Sequence, residues 1–300
     1  TKVISFKLGI VNQIGLKREI KKIKEEASMP SFAIINSIVS AQTIEPIRKL
    51  GIPTLTLIHE FSAYIRPLSM LDNVGLYSSD IIFSSKMTRD DLLQKCPQLK
   101  SARTGVLQQG ICEKINSAKK VSESIAKNEN DDAWNYLKKL QKDDILILGA
   151  GEIQPRKGVD IYISVAAKIK KYGSKKNIHF AWIGAGYDPD NDFNVSLWLD
   201  DQIKRSGLTK DCKILDKSSA YSKLIERSNI FMVTSRLDPL PNVAIDALTN
   251  GTPTICFDKA CGIADLMGYD EKLKQALVAE YLDIEMMARK AVDLIEDNKK

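Results

Sequence analysis

Histidine and cysteine are scarce in this chain of 300 residues, which has two histidines and five cysteines. The cysteines stand at positions 96, 112, 212, 256 and 261, and an odd, scattered set does not form the framework of a disulfide-stapled domain. Cys256 and Cys261 have no histidine near them in the sequence, so the usual ligand spacing of a zinc site is missing. We therefore predict a reduced, cytoplasmic protein without a metal site.

Long apolar runs and clusters of one charge sign are also missing. No run is long enough to span a membrane. The net charge of +6 is mild and no basic–aromatic motif accompanies it, so nucleic acid is not predicted as a partner. The densest basic run, residues 16–27, interleaves acids and predicts a solvated amphipathic helix. Its alternative interpretation is a patch for anionic lipid headgroups, with the protein peripheral to the inner face of the membrane.

Length and hydrophobic pattern together predict two α/β domains, because 300 residues suffice for two separate cores. Short apolar runs alternate with polar helical segments, which is typical of parallel βαβ units. In the second half we predict strands at residues 145–148, 178–183, 213–215, 230–233 and 254–257, the last of these closing the sheet. The polar, lysine-rich residues 114–143 predict a connection between a domain over residues 1–113 and one over residues 144–300.

Two carboxylates follow the predicted strand 230–233. Asp238 lies in the loop that leaves the strand, and Asp246 lies about one turn inside a helix predicted over residues 242–250 and closed by Gly251. Such a loop, running into a helix N-terminus, is where an open α/β sheet binds anionic ligands. Carboxylates there are suited to accept hydrogen bonds from sugar or ribose hydroxyls. The spacing alone has a simpler explanation, in which Asp238 interacts with the helix dipole and Asp246 is a solvated helix residue.

A glycine-rich loop follows the first predicted strand of the second domain. Gly149-Ala-Gly suggests a dinucleotide site, but Gln154 replaces the third glycine and Pro155 interrupts direct entry into a helix. A dehydrogenase is therefore not favoured. Arg156 and Lys157 precede a helix N-terminus instead, where cations and backbone N–H groups suit a diphosphate.

The segment Ser235-Arg-Leu-Asp-Pro-Leu-Pro-Asn-Val-Ala-Ile-Asp-Ala-Leu-Thr-Asn-Gly-Thr-Pro253 resembles the donor-site signature of retaining GT-B glycosyltransferases of the family 4 type, the glycosyl transferases group 1. That signature has two Glu residues separated by seven positions and then Ala-(Met/Leu)-x-x-Gly-x-Pro. Here both acids are Asp, one methylene shorter, and Pro241 stands where a glycine is usual. The spacing and the ending from Gly251 to Pro253 are intact.

The resemblance implies two Rossmann-like parallel-sheet domains facing each other across a cleft, with the N-terminal domain incomplete and the chain a fragment of a larger transferase. It implies transfer of a sugar from a nucleoside-diphosphate-sugar to an acceptor hydroxyl with retention of anomeric configuration, without metal or cofactor. The expected acceptor is a glycan or lipid-linked saccharide, as in polysaccharide biosynthesis. A non-catalytic nucleotide-sugar-binding or scaffold module of the same fold is the alternative, and a same-fold epimerase or phosphorylase is a third hypothesis.

The resemblance also assigns roles to residues of the second domain. It places Asp238 and the backbone after it at the donor sugar, Asp246 at the ribose and Lys157 at the diphosphate. Arg156 would replace an arginine that the family has where this chain has Glu152, and the alternative is that Arg156 is a plain solvated residue. The donor-binding residues expected on this basis are Arg156, Lys157, Gly184, Gly186, Asp238, Leu240, Pro241, Asn242 and Asp246.

In the first domain the resemblance concerns His59. Gly51-Ile-Pro followed by His59-Glu60 resembles the family's N-terminal domain, in which a strand ends in a histidine close to the transferred sugar. Closure of the two domains would bring His59 to the sugar and exclude water. With Asp238 and Lys157, His59 completes the expected catalytic set. A lone histidine at a strand end also has a purely structural interpretation.

Overall fold

The computed structural model describes residues 21, 22, 25, 30–110 and 131–296. The chain divides into two compact units, Thr1–Gln108 and Gln109–Lys300, and each has a parallel sheet. The predicted α/β class with two parallel-sheet domains is therefore confirmed. Most of the basic run 16–27 and residues 114–130 of the predicted connection lie outside the described residues.

The sheet of the first unit has four strands in the order β1-β2-β3-β4. They are β1 (Ala33–Asn36), β2 (Thr54–Ile58), β3 (Asp80–Phe83) and β4 (Arg103–Val106), all paired in parallel. The helices are α1 (Ile44–Arg48), α2 (Met70–Tyr77) and α3 (Lys86–Lys95), with 3-10 turns at Ile38–Thr43, Ser62–Tyr64 and Pro97–Ser101. Because every crossover advances by one strand, the carboxyl ends of β1, β2 and β3 are neighbours on the same side of the sheet.

The sheet of the second unit has six strands in the order β10-β9-β8-β5-β6-β7. They are β5 (Ile145–Ala150), β6 (Ile178–Ile183), β7 (Cys212–Leu215), β8 (Ile230–Val233), β9 (Thr254–Phe257) and β10 (Val278–Ala279). The helices are α4 (Asp132–Lys139), α5 (Val159–Tyr172), α6 (Ser196–Arg205), α7 (Tyr221–Arg227), α8 (Asn242–Thr249), α9 (Gly262–Met267), α10 (Glu271–Leu277) and α11 (Ile284–Glu296). Strands β5, β8 and β9 are buried along their whole length, as expected of parallel strands covered on both faces.

Two details of the second unit differ from the sequence prediction. Residues 254–257 do not form the last strand, because Val278–Ala279 pairs in parallel with Cys256 and Phe257 at the edge of the sheet. A two-residue strand is too short to give a periodic pattern. Part of the predicted connection, α4, belongs to this unit: its Ala133 is buried in the core, and Asp131 caps the helix by accepting from the N–H groups of Ala133 and Trp134.

The order of the strands reverses at β5, and this reversal positions the candidate site. From β5 the chain proceeds through β6 to β7 on one side of the sheet, then returns to β8 on the other. The loops after β5 and β8 therefore leave neighbouring strands and go to opposite faces. In open α/β sheets the crevice at such a switch point, outside the carboxyl ends of the strands, is where ligands bind.

Candidate active site

The loops that leave β5 and β8 bring a lysine, an arginine and a carboxylate together. Lys157 Nζ donates a hydrogen bond to Asp238 Oδ2, and Arg156 Nη1 lies 3.6 Å from the same oxygen. Ser235 Oγ donates to that oxygen at 3.3 Å. The structure thus places three of the predicted site residues in one cluster. Ser235, three positions before Asp238, joins them. It was not among the predicted site residues.

The cluster is enclosed by protein to different degrees. The Asp238 side chain is 7% exposed, whereas the side chains of Lys157 and Arg156 are 13% and 35% exposed. A buried carboxylate is tolerated only when it is paired, because its desolvation costs several kcal/mol. Two cations on one carboxylate leave the cluster with one net positive charge, on the side where Arg156 meets solvent. The arrangement can therefore attract an anion while keeping a carboxylate in place beside it.

The backbone of Asp238 is fixed from the far side of its loop. Its N–H donates to Ala260 O at 2.7 Å, and the Gly262 N–H donates to Pro239 O at 3.0 Å. Asp238 and Cys261 thereby form a short parallel bridge beyond the end of β9. This bridge holds Asp238 independently of its ion pairs.

Two glycines allow the loops to approach each other. Gly158 has φ 69°, and a Cβ there would lie 2.0 Å from Thr234 O, in the loop after β8. A Cβ on Gly184, after β6, would lie 1.9 Å from Gly151 O, in the loop after β5. The segment with Gly184 and Gly186, two of the expected donor-binding residues, therefore packs on the glycine-rich loop, and Ile153 N–H donates to Ala185 O at 2.9 Å.

We expect Gly158→Ala to lower the free energy of unfolding by about 2 kcal/mol or more, because it combines a left-handed backbone with a collision against Thr234 O. Gly207→Ala is the matched control, since Gly207 has φ 70° and a Cβ there would meet nothing within 4 Å. Urea unfolding of both variants measures the difference. Equal losses for the two would mean that the loops do not need this close approach.

Asp246 lies within α8, as predicted, and is held by a residue that the sequence did not indicate. Tyr221 donates its hydroxyl to Asp246 Oδ2 at 2.8 Å, and both burial and this hydrogen bond raise the pKa of Tyr221. The predicted residues Leu240 and Pro241 are buried, and Asn242 is exposed at the first position of α8. Pro241 precedes that helix and offers no side-chain cap, so the first N–H groups of α8 are left to other partners.

His59 belongs to the first unit, where it follows β2 directly. Its Nε2 lies 2.8 Å from Oδ1 of Asn36, the last residue of β1. An amide oxygen only accepts, so Nε2 is the donor of this hydrogen bond. Nδ1 is buried and has no partner among the described residues. Glu60 accepts from the His59 N–H at 3.0 Å and from the Ser37 hydroxyl, which fixes the loop. The catalytic role of His59 stays a prediction.

Residues 30–110 and 131–296 show neither a metal-binding cluster nor a membrane-spanning helix. In that part of the chain no group of three or more His, Cys, Asp or Glu side chains is arranged to hold a metal ion. The helices described there are also too short or too polar to cross a membrane.

Comparison with known proteins places the second half of the chain in a recognised group. The family model of glycosyl transferases group 1 matches residues 130–300, more than half of the chain. A protein of Haemophilus influenzae, described as an uncharacterized glycosyltransferase, is 26% identical over 164 residues, which cover 55% of this chain and 42% of that protein. The chain thus matches less than half of the length of this relative.

Solved structures resemble the chain over almost its whole length. Anabaena Alr3699/HepE in complex with UDP has a TM-score of 0.71 at 15% identity, covering 95% of this chain and 73% of that one. A UDP-forming α,α-trehalose-phosphate synthase from Burkholderia xenovorans, in complex with glucose-6-phosphate, has a TM-score of 0.69 at 12% identity, covering 95% and 70%. At such identities the likeness establishes the fold.

Proposed function

The chain belongs to the glycosyl transferases group 1, and from this premise we propose that it transfers a sugar from a nucleoside-diphosphate-sugar to an acceptor hydroxyl. We place the reaction with the retaining, metal-independent enzymes of the family 4 type, because the segment from Ser235 to Pro253 has the spacing of their donor signature. One observation carries the proposal: Lys157, Arg156 and Asp238 converge at the switch point of the second sheet.

The cluster suits a diphosphate and a sugar at the same time. Lys157 and Arg156 would offset the negative charge that builds on the leaving diphosphate, an electrostatic contribution that is largest in an enclosed site. Asp238 would accept hydrogen bonds from sugar hydroxyls, and Asp246 from the ribose. The N-terminus of α8, which has no side-chain cap, would add backbone N–H groups that favour an anion.

The nucleotide and the acceptor follow from chemistry and from the solved neighbours. UDP is the first nucleotide to test, because it is bound in Alr3699/HepE. We propose a saccharide or a lipid-linked saccharide as the acceptor, with the first unit on the acceptor side. His59, whose Nε2 is hydrogen-bonded to Asn36, would lie on that side, close to the transferred sugar.

The test is binding of UDP, GDP, ADP and their common sugars, measured by thermal shift and calorimetry in the presence of EDTA. A ligand that binds the folded chain raises its melting temperature by mass action. We expect a selective shift with one base, retained without metal, and release of the nucleoside diphosphate once saccharide acceptors are added. No shift with any nucleotide would contradict the proposal.

A second candidate function is a nucleotide-sugar-binding module without turnover. Glu152 favours it, because this exposed carboxylate lies in the loop that would hold the diphosphate and accepts only from Gln154 Nε2, at 2.7 Å, among its described contacts. The two candidates differ in one measurement. A module binds the donor and releases no nucleoside diphosphate with any acceptor. An enzyme binds the donor and releases the nucleoside diphosphate when a suitable acceptor is present.

Glu152 also gives a prediction about affinity. We expect Glu152→Gln to tighten binding of the nucleoside diphosphate about 3-fold at low salt, because one like charge is removed beside the phosphates. Glu226→Gln, on α7, is the control for a general change in net charge. Calorimetry at low and at high salt measures both variants. A gain that persists at high salt, or that the control shares, would count against repulsion by Glu152.

A further inference from the structure

An ion pair joins the two loops of the candidate site beside the cluster of Lys157, Arg156 and Asp238. Arg236, two residues before Asp238, directs its guanidinium at Asp160, in the first turn of α5. Nη1 lies 2.9 Å from Oδ1 and Nη2 lies 2.6 Å from Oδ2, so the pair is bidentate. The same Nη1 donates to Pro155 O at 2.7 Å. This fork requires the planar geometry of arginine, which a lysine does not reproduce.

The contacts of this loop enclose Lys157 from both sides. The Arg236 N–H donates to Arg156 O at 2.8 Å, on the N-terminal side of Lys157. Thr234 Oγ1 donates to Gly158 O at 2.9 Å, on the C-terminal side. The loop after β8 therefore holds the main chain around Lys157 as well as carrying Asp238, the residue with which Lys157 pairs.

Burial and charge indicate what the ion pair does. The side chains of Arg236 and Asp160 are 37% and 44% exposed, and pairs in such positions usually contribute little to stability. Partial burial raises the pKa of Asp160, but the hydrogen bond and charge of Arg236, together with the backbone N–H groups of Ile161 and Asp160, outweigh it and hold the pKa below its ordinary value. Arg236 is thus neutralised by a carboxylate that stays ionised, whereas Lys157 and Arg156 share one carboxylate and keep a net positive charge between them.

We infer that Arg236 and Asp160 are positioning residues for the donor diphosphate, acting through Lys157. The pair sets the place at which the Lys157 and Arg156 cations meet the phosphates, and it does not touch the donor itself. The inference rests on the proposed function, because it concerns the same site. Misplacement of a binding group by about 1 Å is known to cost up to 100-fold in function, so a surface ion pair can matter there far more than for stability.

The experiment compares nucleoside diphosphates with their nucleosides in the full chain. The variants are Arg236→Lys, Asp160→Asn and the double substitution, and the probes are UDP, GDP and ADP with uridine, guanosine and adenosine. We expect each single variant to weaken diphosphate binding about 10-fold while nucleoside binding and the free energy of unfolding stay close to wild type. The double variant should be no weaker than either single one, because both remove the same contact.

Arg205→Lys is the matched control, since Arg205 pairs with Asp201 on α6 at 2.6 Å. If the pair were merely structural, the single substitutions would lower the free energy of unfolding and would weaken nucleoside and diphosphate binding alike. That result overturns the inference. Unchanged diphosphate binding in the single variants overturns it as well. If the wild-type chain binds none of the nucleotides, the proposed function fails and this inference fails with it. Wild-type binding that the single variants retain overturns the inference alone, so the two failures are distinguishable.

Discussion

Asp238→Ala is expected to abolish the contribution of the sugar to donor binding while leaving the nucleoside diphosphate bound. The carboxylate is the acceptor proposed for sugar hydroxyls, whereas the diphosphate is assigned to Lys157 and Arg156, which the substitution releases from their shared partner. We expect affinity for the nucleotide-sugar to fall to that of the free diphosphate, and turnover to fall by about 10²-fold or more, the usual cost of removing one group that acts in the transition state.

Calorimetry of the nucleoside diphosphate and of the nucleotide-sugar, each with wild type and variant, forms a closed thermodynamic cycle. Asp238→Asn is the companion variant, because it keeps the volume and one acceptor oxygen and should retain part of the sugar contribution. An equal loss for both ligands would show that Asp238 acts on the site as a whole and would remove the role assigned to it.

Lys157→Met is expected to remove diphosphate binding and to destabilise the fold. The substitution leaves the Asp238 carboxylate buried, with Arg156 at 3.6 Å as the remaining cation found near it in the described chain. Removing one partner of a buried pair typically costs about 3–5 kcal/mol, so we expect a loss of roughly that size in the free energy of unfolding. Turnover should fall by about 10²–10³-fold, because the charge of the leaving diphosphate is no longer offset.

The double variant Lys157→Met/Asp238→Asn separates the two effects. Without a charge on residue 238 no carboxylate remains unpaired, so we expect the free energy of unfolding to return to within about 1 kcal/mol of wild type. Activity should stay lost. A double variant as unstable as Lys157→Met would mean that the lysine stabilises the fold by packing, and a double variant that regains turnover would exclude Lys157 from catalysis.

Much of this architecture was predictable from the sequence because local and global signals agree. The bounds of β6, β8 and β9 coincide with the apolar runs from which they were predicted. Gly251 follows α8 with φ 78°, and its N–H donates to Leu248 O at 3.0 Å, as expected for a glycine that closes a helix.

The features that the sequence did not predict are very short elements or contacts between residues far apart in the chain. Val278–Ala279 is too short for a pattern, and α9 and α10 have six and seven residues, about two turns each. The contacts that organise the site connect residues far apart in the sequence: Arg236 with Asp160, and Tyr221 with Asp246. Periodicity carries no information about such pairs, because their partners are chosen by the order of strands in the sheet.

The most direct test of the central claim is the location of the bound diphosphate, and amide hydrogen exchange measures it without an acceptor. With UDP, or whichever nucleotide gives the thermal shift, we predict slower exchange in residues 151–158 and 234–243, the two loops at the switch point of the second sheet. Residues 174–177, which lead into the opposite end of β6, should be unchanged. Protection elsewhere, with both loops exchanging as in the free protein, would contradict the assignment of the donor site.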